Sequence, residues 1–230
     1  LDTTKPSAFT GERFGHKPAA TQYYGIKWSE TLFGLTCIEY DSVRVKVNEL
    51  PNIVPKKPGD VCENEDPFSL QLNATPLGGQ WFDTTGREII KFGQFYPKVA
   101  GADGQNPKTH QLFYTYTDPV TQCTDTNNTF IIVRPLPEVK LNEDTVKMCD
   151  TEDPRELGQY VEKVFGEGQW PDEINGVGVN RGVVELNGKY YFDPKVVNNV
   201  QGFYRLIYKY TNNNTPLPHC HNTDTLVLHL

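Results

Sequence analysis

The chain has 230 residues and a net charge of −7 at neutral pH, a balance that excludes a nucleic-acid-binding face built of clustered Lys and Arg. It contains no run of 18 apolar residues, so no membrane-spanning helix is expected, and no secretory leader is visible, as in a mature or internal fragment. Twelve Tyr, twelve Phe and one Met, with Thr, Val, Asn, Gly and Pro throughout, favour short strands punctuated by turns, hence an all-β sandwich or barrel.

Residues 1–22 are polar and irregular, with Phe9 and Phe14 as their large anchors. Tyr23 to Trp28 and Ile38 to Val47 are strand-like. In the second, Val43, Val45 and Val47 alternate with Arg44 and Lys46, which places the valines on one face. A half-core around Tyr24, Trp28, Val43 and Val45 is expected from this pair.

From Pro51 a longer pattern begins, and it occurs twice. Cys62-Glu63-Asn64-Glu65-Asp66-Pro67 is matched by Cys149-Asp150-Thr151-Glu152-Asp153-Pro154. Gly79-Gln80-Trp81 is matched by Gly168-Gln169-Trp170, and Phe95-Tyr96-Pro97 by Phe192-Asp193-Pro194. Tyr114-Thr115-Tyr116-Thr117 returns as Tyr208-Lys209-Tyr210-Thr211, and each copy closes on a second cysteine, Cys123 or Cys220. Self-similarity at a fixed interval is the signature of a tandem array.

Cys37 precedes Val47 and Leu50-Pro51 just as Cys123 precedes Val133 and Leu136-Pro137. Residues 1–50 therefore read as the last part of an incomplete repeat, 51–136 as a complete one and 137–230 as a second. Both ends look like cuts through a longer array. The linkers at Leu50-Pro51 and Pro135-Leu136-Pro137 lack Gly and Ser, and proline holds such a segment extended, so a stiff, elongated array is expected.

Within the first complete repeat, Phe68, Leu70 and Leu72 alternate with Ser69 and Gln71, a strand with its apolar face inward. Within the second, Leu157, Tyr160, Val161, Val164 and Phe165 fall at helical spacing behind Asp153-Pro154 and Glu156, a capping arrangement. The repeat argues for a strand over 154–165 and the local pattern for a short helix or helical turn; the helical reading is the one favoured.

Equivalent cysteine positions suggest one bridge inside each repeat, Cys62 with Cys123 and Cys149 with Cys220, and leave Cys37 unpaired. Such bonds persist in oxidising compartments, so the chain is expected to be exported. The competing reading is five buried free thiols.

Gly-Gln-Trp followed by Phe-x-Pro, Tyr-x-Tyr-Thr and Cys resembles the tandem immunoglobulin-like (PKD-like) repeats of giant Bacteroidota surface proteins. Among these are the gliding-motility adhesins exported by the type IX secretion system. The resemblance covers 51–230 and, as a half repeat, 23–50. It implies tandem antiparallel immunoglobulin-like sandwiches and a structural or adhesive role at the cell surface, with neighbouring repeats, surface polysaccharide or other surface proteins as partners. Asp followed by Ser or Thr and then an aliphatic residue or Thr is similar to the O-glycosylation sequon of that phylum. It marks Thr3, Ser42, Thr84, Thr145 and Thr225 as candidate acceptors.

Catalytic signatures are absent from the sequence: no Gly-x-Ser-x-Gly, zinc-protease helix or phosphate loop occurs. No cofactor is expected. His219-Cys220-His221 has ligand types suited to Zn²⁺ but no fourth ligand. Glu63-Asn64-Glu65-Asp66 and Asp103-Gly104-Gln105-Asn106 offer oxygens to Ca²⁺ without the spacing of a calcium loop. Trp81 and Trp170 are expected in the core, as their repeated position implies. Exposed, they would instead be platforms for sugar rings, and the chain a carbohydrate-binding accessory region of a secreted glycoside hydrolase.

Overall fold

A computed structural model describes residues 20–162, 168–174, 177–213 and 216–230. The chain is almost wholly β, in short strands, with single helical turns between some of them. It divides into two compact units, residues 1–52 with Tyr116–Asp125, and Ile53–Thr115 with Thr126–Leu230.

In the first unit, β1 (Gln22–Leu32) and β2 (Leu35–Val45) form an antiparallel ribbon closed by Phe33-Gly34. Both turn residues have positive φ, as a two-residue hairpin loop of this hand requires. Trp28 is 45% exposed and Val43 49%, so these two do not form the expected half-core. Val45 is half-buried, and the side chain of Tyr24 lies outside what is described; a two-stranded ribbon by itself buries little of either face. Thr3 lies outside the described residues.

In the second unit, the first complete repeat supplies β3 (Val54–Pro55), β4 (Val61–Cys62), β5 (Phe68–Ser69), β6 (Ala74–Thr75) and β7 (Gln80–Phe82). It continues with β8 (Ile90–Lys91), β9 (Gln94–Phe95), the single-turn helix α1 (Pro97–Ala100), β10 (Lys108–Thr117) and β11 (Thr124–Arg134). One sheet has the order β4-β11-β10-β7 and another β5-β9-β8. β7 pairs antiparallel with β10, β5 and β8 with β9, and β3 with β6, whereas β4 runs parallel to β11, with Cys62 opposite Arg134. Alternation along β10 and β11 turns Leu112, Tyr114, Ile131 and Val133 inward, where they are buried with Leu70, Trp81, Ile89 and Phe95.

The second repeat reproduces this plan with β12 (Thr145–Lys147), β13 (Arg155–Glu156), β14 (Glu173–Ile174), β15 (Val177–Gly178), β16 (Val183–Leu186), β17 (Lys189–Phe192), β18 (Phe203–Thr211) and β19 (His221–His229). Here β12 takes the place of β4 and runs parallel to β19, with Lys147 opposite His229. Leu157, Trp170, Phe192, Leu206, Tyr208, Leu226 and Leu228 belong to its core; Leu157, Trp170, Phe192 and Tyr208 stand where Leu70, Trp81, Phe95 and Tyr114 stand in the first repeat.

One local expectation is met in part and one is corrected. The segment after Pro154 holds both a short strand, Arg155–Glu156, and the helical turn, a single 3₁₀ turn at Gly158–Tyr160; Val164 and Phe165 lie outside the described residues. A single 3₁₀ turn brings Leu157 and Tyr160 onto one side, which is what the helical spacing reflected. The first repeat has the same turn at Gln71–Asn73. It ends the alternation begun at Phe68, so Leu70 is fully buried while Leu72 is 79% exposed.

Candidate functional site: the repeat junction

The structure places a disulfide between Cys62 and Cys220, 158 residues apart, with Cα atoms 5.5 Å from one another. It therefore joins the first cysteine of one repeat to the second cysteine of the next. The expected pairs, Cys62 with Cys123 and Cys149 with Cys220, do not form; Cys37, Cys123 and Cys149 are free thiols.

Strand geometry explains the correction. Cys220 immediately precedes β19, whereas Cys149 lies just past Lys147, which is paired with His229 at the strand's other end. Eight residue steps of strand separate those ends by about 26 Å, and a disulfide requires Cα atoms within about 7 Å. Likewise Cys62 pairs opposite Arg134, at the last residue of β11, while Cys123 precedes its first. The two cysteines of one repeat mark opposite ends of its closing strand.

Polar side chains at the junction hold backbone. The Cys62 N–H donates to Glu65 Oε1 at 3.0 Å, and the Ala102 N–H to Glu63 Oε2 at 3.1 Å. Asn64 Nδ2 donates to the carbonyl of His221 at 3.3 Å, and Asn222 Nδ2 to that of Pro137 in the linker at 3.1 Å. Asp60 receives Lys57 Nζ at 2.9 Å and Arg134 Nη2 at 2.6 Å, the latter pair largely shielded from solvent. Burial opposes the charge on Asp60, but hydrogen bonds from Lys57 and then Arg134 prevail and hold its carboxyl below the usual range. Burial, and then the charge of Lys209, push the His221 imidazole down.

The candidate metal ligands are committed elsewhere. Cys220 is oxidised, so His219-Cys220-His221 offers no thiolate. Asp103 and Asn106 close a loop by reciprocal backbone hydrogen bonds of 3.0 Å, and Glu63 and Glu65 accept N–H groups as above. Among the described residues no three His, Cys, Asp or Glu side chains converge.

Both tryptophans of the repeat motif are buried, Trp81 at 7% exposure and Trp170 at 2%. Each packs on the tyrosine of the facing strand, with ring centroids 5.0 Å apart for Trp81–Tyr114 and 5.2 Å for Trp170–Tyr208. Of the candidate acceptors, Ser42, Thr84 and Thr145 are exposed and Thr225 is half-buried within β19.

No family model and no curated protein sequence matches the chain. Among solved structures it is similar to the extracellular cadherin domains 1–4 of protocadherin gamma B7, at 11% identity and a TM-score of 0.24, over 92% of this chain and 58% of that one. Drosophila N-cadherin EC1-4 gives 10% identity and a TM-score of 0.24, over 94% and 59%. A tri-modular GH5 endo-beta-1,4-glucanase from Bacillus licheniformis gives 10% and 0.23, over 78% and 38%. The chain thus spans less than two thirds of each of these three proteins, and at such superposition values the likenesses carry no functional argument.

Proposed function

We propose that the chain is a non-catalytic structural and adhesive segment of a large, repetitive cell-surface protein, built of units at 1–50, 51–136 and 137–230. The observation that carries this reading is the cross-repeat bond from Cys62 to Cys220. Removing it severs no catalytic constellation; its physical effect is to tie two successive repeats together. The rest of the junction supports the same role, since its carboxylates and amides act on backbone groups.

A disulfide of this kind persists outside the reducing cytosol, which supports an extracellular location. The resemblance to gliding-motility adhesins assigns export to the type IX system and a role in surface attachment. It also makes Thr3, Ser42, Thr84, Thr145 and Thr225 the O-glycosylation acceptors, and neighbouring repeats, surface polysaccharide or other surface proteins the partners. The carbohydrate-module reading loses its main support, because indoles packed on Tyr114 and Tyr208 have no free face for a sugar ring.

Surface labelling of intact producing cells tests the proposal. A membrane-impermeant amine reagent should modify the protein without lysis, and deletion of residues 53–230 from the full-length protein should reduce attachment of those cells to a surface. Labelling only after lysis, or unchanged attachment, would overturn the reading.

A further inference from the structure

Cys149 is the repeat equivalent of Cys62, and the equivalence is structural as well as sequential. The Cys149 N–H donates to Glu152 Oε1 at 2.8 Å, as that of Cys62 does to Glu65 Oε1 at 3.0 Å. In each turn the glutamate N–H returns to the cysteine carbonyl at 3.1 Å. The strand that ends at or just before each cysteine, β4 or β12, runs parallel to the closing strand of its own repeat.

What differs is the cover. Cys62 is 5% exposed beneath Cys220 and His221 of the following repeat. Cys149 is exposed, in an open cleft of about 430 Å³ floored by Met148 and Leu230 and edged by Lys147, Asp150 and His229. The cleft lies where, in the first repeat, the next repeat's cysteine turn is seated. Cys123 shows the same relation from the other side. Its turn, Tyr116–Asp125, clusters with residues 1–52, the preceding repeat, as the turn carrying Cys220 docks on the first repeat.

We infer that Cys62–Cys220 is one rung of a disulfide ladder in which the first cysteine of each repeat bonds the second cysteine of the repeat after it. Cys149 is then the receiving half of the next rung, and its ligand is the cysteine turn of a following repeat of this class. Cys123 is the donating half of the rung to the repeat before. The inference rests on the reading of the chain as part of an exported tandem array.

Rung formation joins two thiol sulfurs and releases two protons and two electrons. An oxidised disulfide, on a thiol–disulfide oxidoreductase or as oxidised glutathione, accepts them and leaves as two thiols. Cys149 attacks that disulfide as thiolate to give a mixed disulfide, and the incoming cysteine displaces the reduced carrier.

The test extends the whole chain by one repeat, residues 134–230 copied directly after Leu230 so that the linker keeps its length from the cysteine, refolded in a glutathione redox buffer and mapped under non-reducing conditions. The expected map contains Cys62–Cys220 unchanged and a new bond from Cys149 to the added copy of Cys220, with Cys149 lost to alkylation. In the unextended chain Cys149 should be alkylated fully while Cys62 and Cys220 react only after reduction. Cys149 still alkylated in the extended chain while Cys62–Cys220 is intact would overturn the ladder, as would a bond inside the added repeat or a missing Cys62–Cys220. None of these outcomes depends on export, so surface labelling can fail independently.

Discussion

The hydroxyl of Tyr114 is hydrogen-bonded to the backbone of Gly79: it accepts the Gly79 N–H at 2.6 Å while donating to the carbonyl of Pro76, also at 2.6 Å. Tyr208 accepts the N–H of Gly168 at the same distance in the second repeat. A side chain from the sheet thus pins the turn that delivers each tryptophan to the core. Glycine is required there by space: a Cβ at Gly79 or Gly168 would press into the tyrosine ring and into the carbonyl oxygen of Thr115 or Lys209.

Tyr114→Phe should therefore cost about 1–3 kcal/mol, the penalty of leaving buried backbone groups unpaired. Tyr208→Phe should cost a similar amount. Gly79→Ala should be worse than Tyr114→Phe, because backbone must move and the hydroxyl bond is lost with it. Urea denaturation of the three variants checks the order; a neutral Gly79→Ala would refute the clamp.

Asp60 and Arg134 tie the start of β4 to the last residue of β11 at the linker. Their side chains are only 12% and 14% exposed, so each substitution leaves a shielded charge without its mate. Arg134→Ala and Asp60→Ala should each cost about 2 kcal/mol, with a coupling of about 1 kcal/mol in the double-mutant cycle. Lys57→Ala, which removes a more exposed contact, should stay within about 0.5 kcal/mol. Additive single effects at Asp60 and Arg134 would deny the pair its role.

The repeat, the strand composition, the buried tryptophans and the positions of the turns are all legible in the sequence, because each is a local or periodic property. The bridge is not. Five cysteines at equivalent places fix which positions are alike, but pairing depends on which end of a strand each occupies. Knowing that Cys62 faces Arg134, at the far end of the strand that Cys123 precedes, requires the parallel register of β4 on β11. The 3₁₀ turns were hidden differently: Leu157 and Tyr160 satisfy a helical period over one turn, too short to separate a helix from a 3₁₀ turn. Asn180 was missed altogether. It is 2% exposed and its side chain donates to the carbonyls of Pro171 and Ile207, lacing two loop segments to β18, and nothing in its neighbours marks it.

Acid should destabilise the fold in two steps. His110 is 4% exposed, its Nε2–H donating to the carbonyl of Gly101 at 2.9 Å with Phe95 against the ring. Burial pushes its pKa below 6.5, against the Gly101 bond, and the positive charges of Lys108 and Arg87 act with burial. A histidine with a depressed folded pKa binds protons more readily when unfolded, so stability falls as pH drops below about 6.5. Asp60, depressed below 3.8, adds stability above that value which is lost on further acidification. The melting temperature should fall between pH 7 and 5.5, and fall less in His110→Gln. An equal slope in that variant would assign the effect to another group.

Reduction of Cys62–Cys220 should separate the two repeats thermodynamically. A bond closing 158 residues removes about 5 kcal/mol of chain entropy from the unfolded state by loop-closure arithmetic. Little of that belongs to either repeat alone, since each retains its own buried set, around Phe95 in one and Phe192 in the other. Oxidised protein should consequently unfold in one transition at the higher temperature. Cys220→Ser should lower the midpoint and broaden or split the transition as the repeats melt apart. Calorimetry with and without reductant distinguishes this from simple loss of local packing. Cys149→Ser, which removes an exposed thiol and no bond, should match the parent chain within about 0.5 kcal/mol. If Cys220→Ser melts in a single transition at the parent midpoint, the bridge does not couple the repeats, and its stabilising role is refuted.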